Sequence, residues 1–445
     1  MKIDELSKIF RENGIVGAGG AGFPTYGKLT DKIEVIVVNC AECEPLLKLH
    51  RQLLAEYADE IIKAASTIAE TVGAKEVVFA IKGEYETTVE AVEYGLKEFS
   101  PKGYTMRVHK LISSYPMGDE VVTIYEATGR VVRPGGLPIE QGVAVFNVET
   151  LYNAYMAIFR GEPVNSKCVS VVGEVENPIT VRVPIGMAIK DVVSLAGSIT
   201  CEDPVYLIGG PMMGSFKSNL DPVTKTTNAV IVLDRSHSLV QKKNQNFKVA
   251  LARAASSCCQ CQTCTDLCPR HNLGHPIQPH LFMRFAANKD FQSVEPFINT
   301  MFCSSCGLCE MYSCPQGLSP RSMMAEYKAG LRKAGVKAPF VEPTPVKDSR
   351  EYRLVPENRL EMRLGIHEYN KPAPLDNTVK YAKEVKILLS QHIGAPATAC
   401  VKADDFVKSG DVVAKAADGL SVCIHSSIDG QVVEVTDRFI KIKAR

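Results

Sequence analysis

The chain has 445 residues, 45% of them apolar and 23% charged, so it can pack about three or four units and is too apolar for a disordered chain. Lys and Arg number 51 against 50 Asp and Glu, a formal charge of +1 that excludes a general nucleic-acid binder and a polybasic membrane anchor. No apolar run reaches the roughly 20 residues needed to span a bilayer, and the opening MKIDELSKIF lacks a signal-peptide core, so a soluble cytoplasmic protein with reduced thiols is expected.

From the amino terminus, Ile3, Leu6, Ile9 and Phe10 share a helical face, and Gly14 suits the end of that helix. A glycine-rich loop, GAGGAGFPT, occupies 17–25. Residues 34–40 read as a buried strand, 46–73 as one long amphipathic helix ended by Gly73, 75–83 as a second strand, 85–99 as a second helix and 105–112 as a third strand. Strands alternating with helices predict a mostly parallel sheet. Residues 166–235 change to β-branched strands around an Asn-Pro turn, with a short helix at 189–197, and predict a small α+β module. Residues 236–250 are polar and read as a linker. Helical sequence with eight regularly spaced cysteines fills 251–335, and 336–385, rich in Pro and charge, reads as an extended, wrapping linker. In 386–445, VKSGDVVAKA and SSIDGQVVEV each place a Gly before a Val-rich strand, a weak repeat typical of a small β-sandwich or barrel.

The chain has 15 cysteines. Cys258, Cys261, Cys264 and Cys268 follow C-x2-C-x2-C-x3-C, with Pro269 next; Cys303, Cys306, Cys309 and Cys314 follow C-x2-C-x2-C-x4-C, with Pro315 next. Two residues between ligands let one loop wrap three irons of a cubane, and in two-cluster ferredoxins the fourth thiolate comes from the other run. One 4Fe-4S cluster is thus expected on Cys258, Cys261, Cys264 and Cys314, and a second on Cys303, Cys306, Cys309 and Cys268. The longer last spacing should bulge the loop before Cys314. Structural zinc is the alternative, but it favours two CxxC pairs or Cys/His mixtures over triple runs ending in Cys-Pro. Cys259 falls out of register. Cys40 and Cys43 form a CxxC, which leaves a redox pair as an alternative although no thioredoxin-like pattern surrounds it; most of Cys40, Cys43, Cys168, Cys201, Cys400 and Cys423 read as small buried hydrophobes.

Gly17, Gly19, Gly20 and Gly22 would let backbone N–H groups approach a phosphate or a flat ring, although the loop follows a helix and lacks the dinucleotide G-x-G-x-x-G pattern. Asn39-Cys-Ala-Glu42-Cys-Glu44-Pro45 and Tyr115-Pro-Met-Gly118-Asp119-Glu120 each follow a strand, at the edge where open α/β sheets bind ligands.

These segments together resemble a known superfamily. GAGGAGFPTYGKL is similar to the flavin loop of the FMN-binding subunit of respiratory complex I and of RnfC-type subunits, and NCAECEP, YPMGDE and FNVETL (146–151) are similar to its other flavin segments. CVSVVGEVENPITVRVPIGMAIKDVV resembles the soluble-ligand-binding β-grasp (SLBB) domain, GGPMMG with Lys225-Thr-Thr-Asn228 resembles its RnfC-type version, and residues 386–445 resemble the RnfC barrel-sandwich domain. In RnfC that barrel comes first; here it comes last, the order of PduS-type cobalamin reductases and their relatives encoded with bacterial microcompartments. Where barrels of this fold carry a lipoyl or biotinyl lysine, the hairpin here reads Ser426-Ser-Ile-Asp-Gly430, so no swinging arm is expected.

The resemblance implies a multidomain α/β protein: a Rossmann-like FMN/NADH-binding α/β domain at 1–165, an SLBB β-grasp domain at 166–235, a helical ferredoxin-type insert with two 4Fe-4S clusters at 245–335, the linker at 336–385 and the barrel-sandwich hybrid at 386–445. Residue by residue, it implies that Gly17, Gly19, Gly20, Ala21 and Phe23 lie against FMN, that Lys28 is near its phosphate or ring, and that Asn39 and Glu42 form the next flavin segment. Gly118, Asp119 and Glu120 match a run near the isoalloxazine and nicotinamide, with Glu120 governing nucleotide chemistry; Asn147 and Thr150 match the phosphate-side segment. Ala41 and Phe146 depart from the complex I pattern, where an Asp and an Asn stand. The implied activity is NADH-dependent electron transfer through FMN and two clusters to cobalamin, within or at the shell of a microcompartment, with shell or enzyme partners. The alternatives are an RnfC-like electron-input subunit serving ferredoxin, flavodoxin or a radical-enzyme activase, and a non-catalytic conduit.

Overall fold

The computed structural model describes residues 1–99, 101 and 103–445. The first domain opens with α1 (Ile3–Glu12), and its sheet is built from β1 (Val35–Cys40), β2 (Glu76–Lys82), β3 (Thr105–Leu111) and, further on, Val143–Asn147. Between β1 and β2 run α2 (Leu49–Glu56) and α3 (Ala58–Val72), and between β2 and β3 runs α4 (Glu86–Glu98). After β3 come the short strand β4 (Ser114–Tyr115), α5 (Glu120–Thr128), β5 (Val143–Asn147) and α6 (Val148–Tyr155). The sheet order is β3-β2-β1-β5, all parallel.

Both faces of β1, β2 and β5 are covered, which is why these strands are mostly apolar, whereas the edge strand β3 is partly exposed and carries Arg107, His109 and Lys110. Ile36, Val38, Phe79, Ile81 and Phe146 pack under α2, α3 and α6, while Val35, Val37, Val78, Ala80 and Val145 pack under α5. The order reverses between β1 and β5, where Asn39 and Asn147 are register partners at the carboxyl ends of neighbouring strands. Such a switch point leaves a crevice for a ligand.

The single helix expected over 46–73 is two helices. Tyr57 leaves the helical region (φ −122°, ψ 40°), because its ring packs edge-on to Tyr152 at 4.9 Å and its hydroxyl accepts from Asn377 Nδ2 at 2.6 Å.

The β-grasp module forms a six-stranded sheet. Its edge strand, Leu375–Val379, comes from the stretch expected to be a linker and pairs parallel with Ile179–Pro184. The same stretch holds a helix at Glu357–Leu364, stopped by Gly365 in the left-handed region, and a two-residue strand, Val355–Pro356, paired with β4. Residues 336–385 therefore wrap, but they are not merely extended. The polar run at 236–250 likewise carries helices, Ser238–Lys243 and the start of Phe247–Ser257.

The barrel-sandwich part has a four-stranded and a three-stranded sheet, and it shares one core with the β-grasp module through residues such as Val181, Val232, Val385 and Ile442. Its Ser427, at the hairpin, is buried and donates to Ile185 O at 2.6 Å. The barrel also docks on α1 and the glycine loop. Arg11 donates to Ala417 O at 2.8 Å, and Tyr26 Oη donates to Gly419 O at 3.1 Å.

Candidate flavin and iron–sulfur sites

The glycine loop leaves α1 and crosses the carboxyl edge of β5. Gly17 N–H donates to Phe23 O at 2.9 Å, closing the loop, and Ala18 N–H donates to Thr150 Oγ1 at 2.9 Å, tying it to α6. Gly19, Gly20 and Ala21 are exposed, and their amides have no protein partner among the described residues. A Cβ on Gly20 would meet nothing within 4 Å, whereas one on Gly19 would lie 2.4 Å from Asn147 Nδ2. This open cradle of free amides fits a phosphate or a flavin edge.

Lys28 crosses the crevice, donating to Val145 O at 2.8 Å and to Glu120 Oε1 at 3.3 Å. Asn39 Nδ2 donates to Gly118 O at 3.0 Å, which fixes the β1 loop against the start of α5. Asn147 caps α6 by accepting from Glu149 N at 2.9 Å, and its amide sits 3.2 Å from the His50 ring. Gly17, Gly19, Gly20, Ala21, Lys28, Asn39, Gly118, Glu120, Asn147 and Thr150 thus line or frame one crevice at the switch point. Phe23 is half-buried at the base of the loop, its ring facing Gly27.

Two side chains carried over from the resemblance are committed elsewhere. Glu42 is buried, and its two oxygens accept from His50 N at 2.8 Å and Arg51 N at 3.1 Å, so they neutralise the amino end of α2. Asp119 caps α5 by accepting from Val121 N and Val122 N, at 3.0 and 3.3 Å. It also meets Arg270 of the ferredoxin-type domain at 2.8 and 2.9 Å. Neither carboxylate is free to bind a ligand.

Several residues that sequence reasoning passed over connect the crevice to the cysteines. The Glu44 carboxylate accepts from Met212 N and Met213 N, each at 2.9 Å, so GGPMMG (209–214) is a β-grasp turn closed around it. A Cβ on Gly210 would fall 2.0 Å from Glu44 Oε2, which explains the glycine there. Met212 in turn touches Gly307, between Cys306 and Cys309. Tyr115, buried under the crevice, donates to Cys306 O at 2.5 Å. Cys43 lies against Gly118. His50 is also buried, and burial lowers its pKa below the usual imidazole range, so it faces Asn147 uncharged.

The eight run cysteines lie close together, with Cys309 beside Cys303 and Cys306 and also near Cys264. Cys258, Cys261, Cys264 and Cys314 line one open-sided cavity, which exposed Cys259 also borders. Burial pushes the Cys264 thiol up to about 12, and its thiol neighbours are Cys314, Cys258 and Cys261. Cys268, also pushed up to about 12 by burial, neighbours Cys303, and Cys306 neighbours Cys268 and Cys303. Among the described residues no three Cys, His, Asp or Glu side chains converge as a single metal ion demands, whereas cubane thiolates stand apart around their cluster. The extra residue before Cys314 is taken up by a π-turn over Cys309–Ser313, with Ser313 Oγ donating to Leu308 O at 3.0 Å. The set with Cys306 lies inside, against Tyr115 and Met212; the set with Cys258 and Cys261 reaches the surface.

Residues 10–156 match the Nuo51 FMN-binding domain, 168–216 the SLBB domain, 257–319 the 4Fe-4S dicluster domain and 363–445 the RnfC barrel sandwich hybrid domain. The last match begins well before 386, in keeping with the strand Leu375–Val379 found in that stretch. Together they define a flavin and iron–sulfur electron-transfer protein that binds FMN and two 4Fe-4S clusters. Over 436 residues the chain is 40% identical to a protein of Citrobacter freundii called cobalamin reductase PduS, covering 97% of this chain and 95% of that one. The Salmonella typhimurium protein of the same name is 40% identical over 445 residues, 99% of this chain and 97% of its own. The chain belongs to the PduS cobalamin reductase family. A more distant relative, one component of the proton-translocating ferredoxin:NAD(+) oxidoreductase complex of Clostridium ljungdahlii, is 33% identical over 278 residues, 61% of this chain and 57% of that component.

Proposed function

We propose that the chain oxidises NADH at the first domain and delivers the electrons one at a time, through the inner and then the outer cluster, to cobalamin. The observation that carries this reading is a run of neighbouring groups from the crevice to the surface: Cys43 against Gly118, Cys43 and Cys306 packed on the core that holds Tyr115, Cys309 beside Cys264, and the outer cysteines opening to solvent. FMN supplies the conversion of two-electron hydride chemistry into the one-electron steps that clusters accept.

The protein's own residues position and insulate. The free amides of Gly19, Gly20 and Ala21 hold the flavin phosphate or ring edge, and the Asn39–Gly118 bond fixes the crevice floor. Lys28 and Glu120 form a half-exposed pair at the mouth, where Glu120 orders the nicotinamide. Cys258, Cys261, Cys264 and Cys314 hold the outer cluster, and Cys303, Cys306, Cys309 and Cys268 the inner one.

The rim of the outer cavity favours cobalamin over a charged carrier protein. Apart from the cluster ligand Cys261, its exposed members, Cys259, Gln260, Gln262, Pro315 and Gln316, include no Lys, Arg, Asp or Glu. A ferredoxin or flavodoxin is guided by complementary charge, whereas the amide-fringed corrin can hydrogen-bond to glutamines. Residence within or at the shell of a bacterial microcompartment, beside a cobalamin-dependent enzyme, belongs to the same proposal.

The test is an anaerobic spectrum of the holoprotein. NADH should bleach the flavin and cluster bands, and added hydroxocobalamin should then turn to the reduced corrin spectrum while those bands return. Bleaching without corrin reduction, with transfer to flavodoxin instead, selects the RnfC-like reading. An unbleached flavin makes the chain a conduit.

A further inference from the structure

Asp119 and Arg270 form a nearly dry bridge between the flavin crevice and the inner cluster. Their side chains are only 10% and 16% exposed. Arg270 Nη2 reaches both oxygens of Asp119, at 2.8 and 2.9 Å, and Nε adds a third contact at 3.3 Å. On one side, Asp119 directly follows Gly118, whose carbonyl is held by Asn39 at the crevice floor. On the other, Arg270 stands two residues beyond Cys268, and both charges act on Cys306. A bidentate pair with this little water is a rigid joint, and each member is a large local charge in a poorly screened place.

We infer that the Asp119–Arg270 pair is a positioning and charge-setting device that locks the inner cluster against the flavin domain and fixes how readily that cluster is reduced. The inference rests on the proposed assignment of Cys268 to the inner set. An added electron makes the inner cluster more negative, so Arg270 favours reduction and Asp119 opposes it. With both present the charges nearly cancel; with either one alone the cluster faces an uncompensated charge. The pair therefore holds the inner cluster at a moderate potential while keeping the two domains in one register. A purely structural clamp has no such sign: loosening it from either side would have the same consequence.

The sign supplies the test. Midpoint potentials of both clusters are measured by EPR at stepped potentials in the holoprotein, with Cys261→Ala, which removes a ligand and alters the outer signal, identifying the inner one. Arg270→Gln should lower the inner potential, and Asp119→Asn, which keeps the helix cap because Asn caps as well as Asp, should raise it. Each shift is expected at about tenfold in the reduced-to-oxidised ratio, or about 59 mV for a one-electron couple. Arg270→Lys should stay near the wild-type value, and the double variant Asp119→Asn/Arg270→Gln should return towards it. If Arg270→Gln loses its cluster, Asp119→Asn alone still decides by the direction of its shift. No shift, or shifts of the same sign in both variants, overturns the inference. A shift confined to the outer signal also overturns it, and traces the failure to the cysteine assignment.

Discussion

Gly20 offers the sharpest separation between holding the fold and holding the flavin. Its backbone is not in the left-handed region, and an added Cβ meets nothing within 4 Å. Gly20→Ala should therefore leave the unliganded fold intact, or stabilise it by about 0.4–1 kcal/mol through the unfolded chain. If FMN lies on this loop, however, the methyl occupies its space. Overpacking costs about 1–3 kcal/mol, which weakens binding by roughly 5- to 150-fold. Gly19→Ala is the contrast. Its Cβ would sit 2.4 Å from Asn147 Nδ2 and 2.9 Å from Asn147 Cγ. Asn147 must then leave its place as the cap of α6, a loss of about 1 kcal/mol of stability in addition to any effect on flavin. The assay is quenching of FMN fluorescence on titration with deflavinated protein, paired with thermal unfolding of the same samples. Wild-type FMN affinity in Gly20→Ala would refute the placement of flavin on the loop, and a lowered melting temperature would refute the claim of free space.

Cys314→Ala should disrupt the cluster of Cys258, Cys261 and Cys264 while Cys259→Ala leaves the iron content unchanged; loss of iron in the latter would shift the ligand register. Glu120→Gln should change the rate or apparent affinity for NADH with FMN and both clusters retained. Unchanged kinetics would make Glu120 an ordinary partner of Lys28, and loss of FMN would make it a retention residue. Raising ionic strength should leave cobalamin reduction nearly constant, because no Lys, Arg, Asp or Glu lines the outer rim; a steep fall in rate would point to an ion-paired acceptor.

What could be read from the sequence follows from how local each constraint is. Cubane ligation needs thiols at short fixed intervals, so both runs stood out, and even the extra residue before Cys314 announced its bulge. The parallel sheet was legible because its inner strands are buried on both faces and mostly apolar, and because strands alternate with helices. The domain-joining contacts were not legible. Glu44 finds Met212, Asp119 finds Arg270 and Tyr115 finds Cys306 across long stretches of chain, and no local pattern marks such pairs. Glu42 and Asp119 were read as ligand carboxylates because they follow strands, yet each first satisfies the exposed amides of the helix it precedes. The helix at Glu357–Leu364 carried its stop signal, Gly365, but it is short and charged, and its neighbouring strands exist only through pairing with distant segments.

The junction under the glycine loop joins three domains through one buried amine, and its pH dependence can be worked out. Lys225, in the β-grasp module, donates to Gly14 O at 2.7 Å and to Cys423 O at 3.4 Å, and has no carboxylate beside it among the described residues. It thereby ties the end of α1 to the barrel, which is why a barrel placed last in the chain can still sit beside the first helix. Burial lowers the Lys225 pKa from 10.5 to about 7. The flanking His425, held down to about 3 by burial and by this amine, stays neutral, and His392 is lowered in the same way. Between pH 7 and 10.5 the unfolded chain holds a proton that the folded chain does not, so stability rises with pH across that window. At about 1.36 kcal/mol per pKa unit, the gain from pH 7 to 9 is about 2 kcal/mol. Lys243, lowered to about 8 by burial, adds a rise of the same sign. The informative quantity is therefore the difference between wild type and Lys225→Met, taken from anaerobic urea unfolding midpoints at each pH. Wild type should gain on the variant as pH rises from about 7 to 9. Parallel curves would mean that Lys225 keeps its proton in the fold and that the junction accommodates a charge after all.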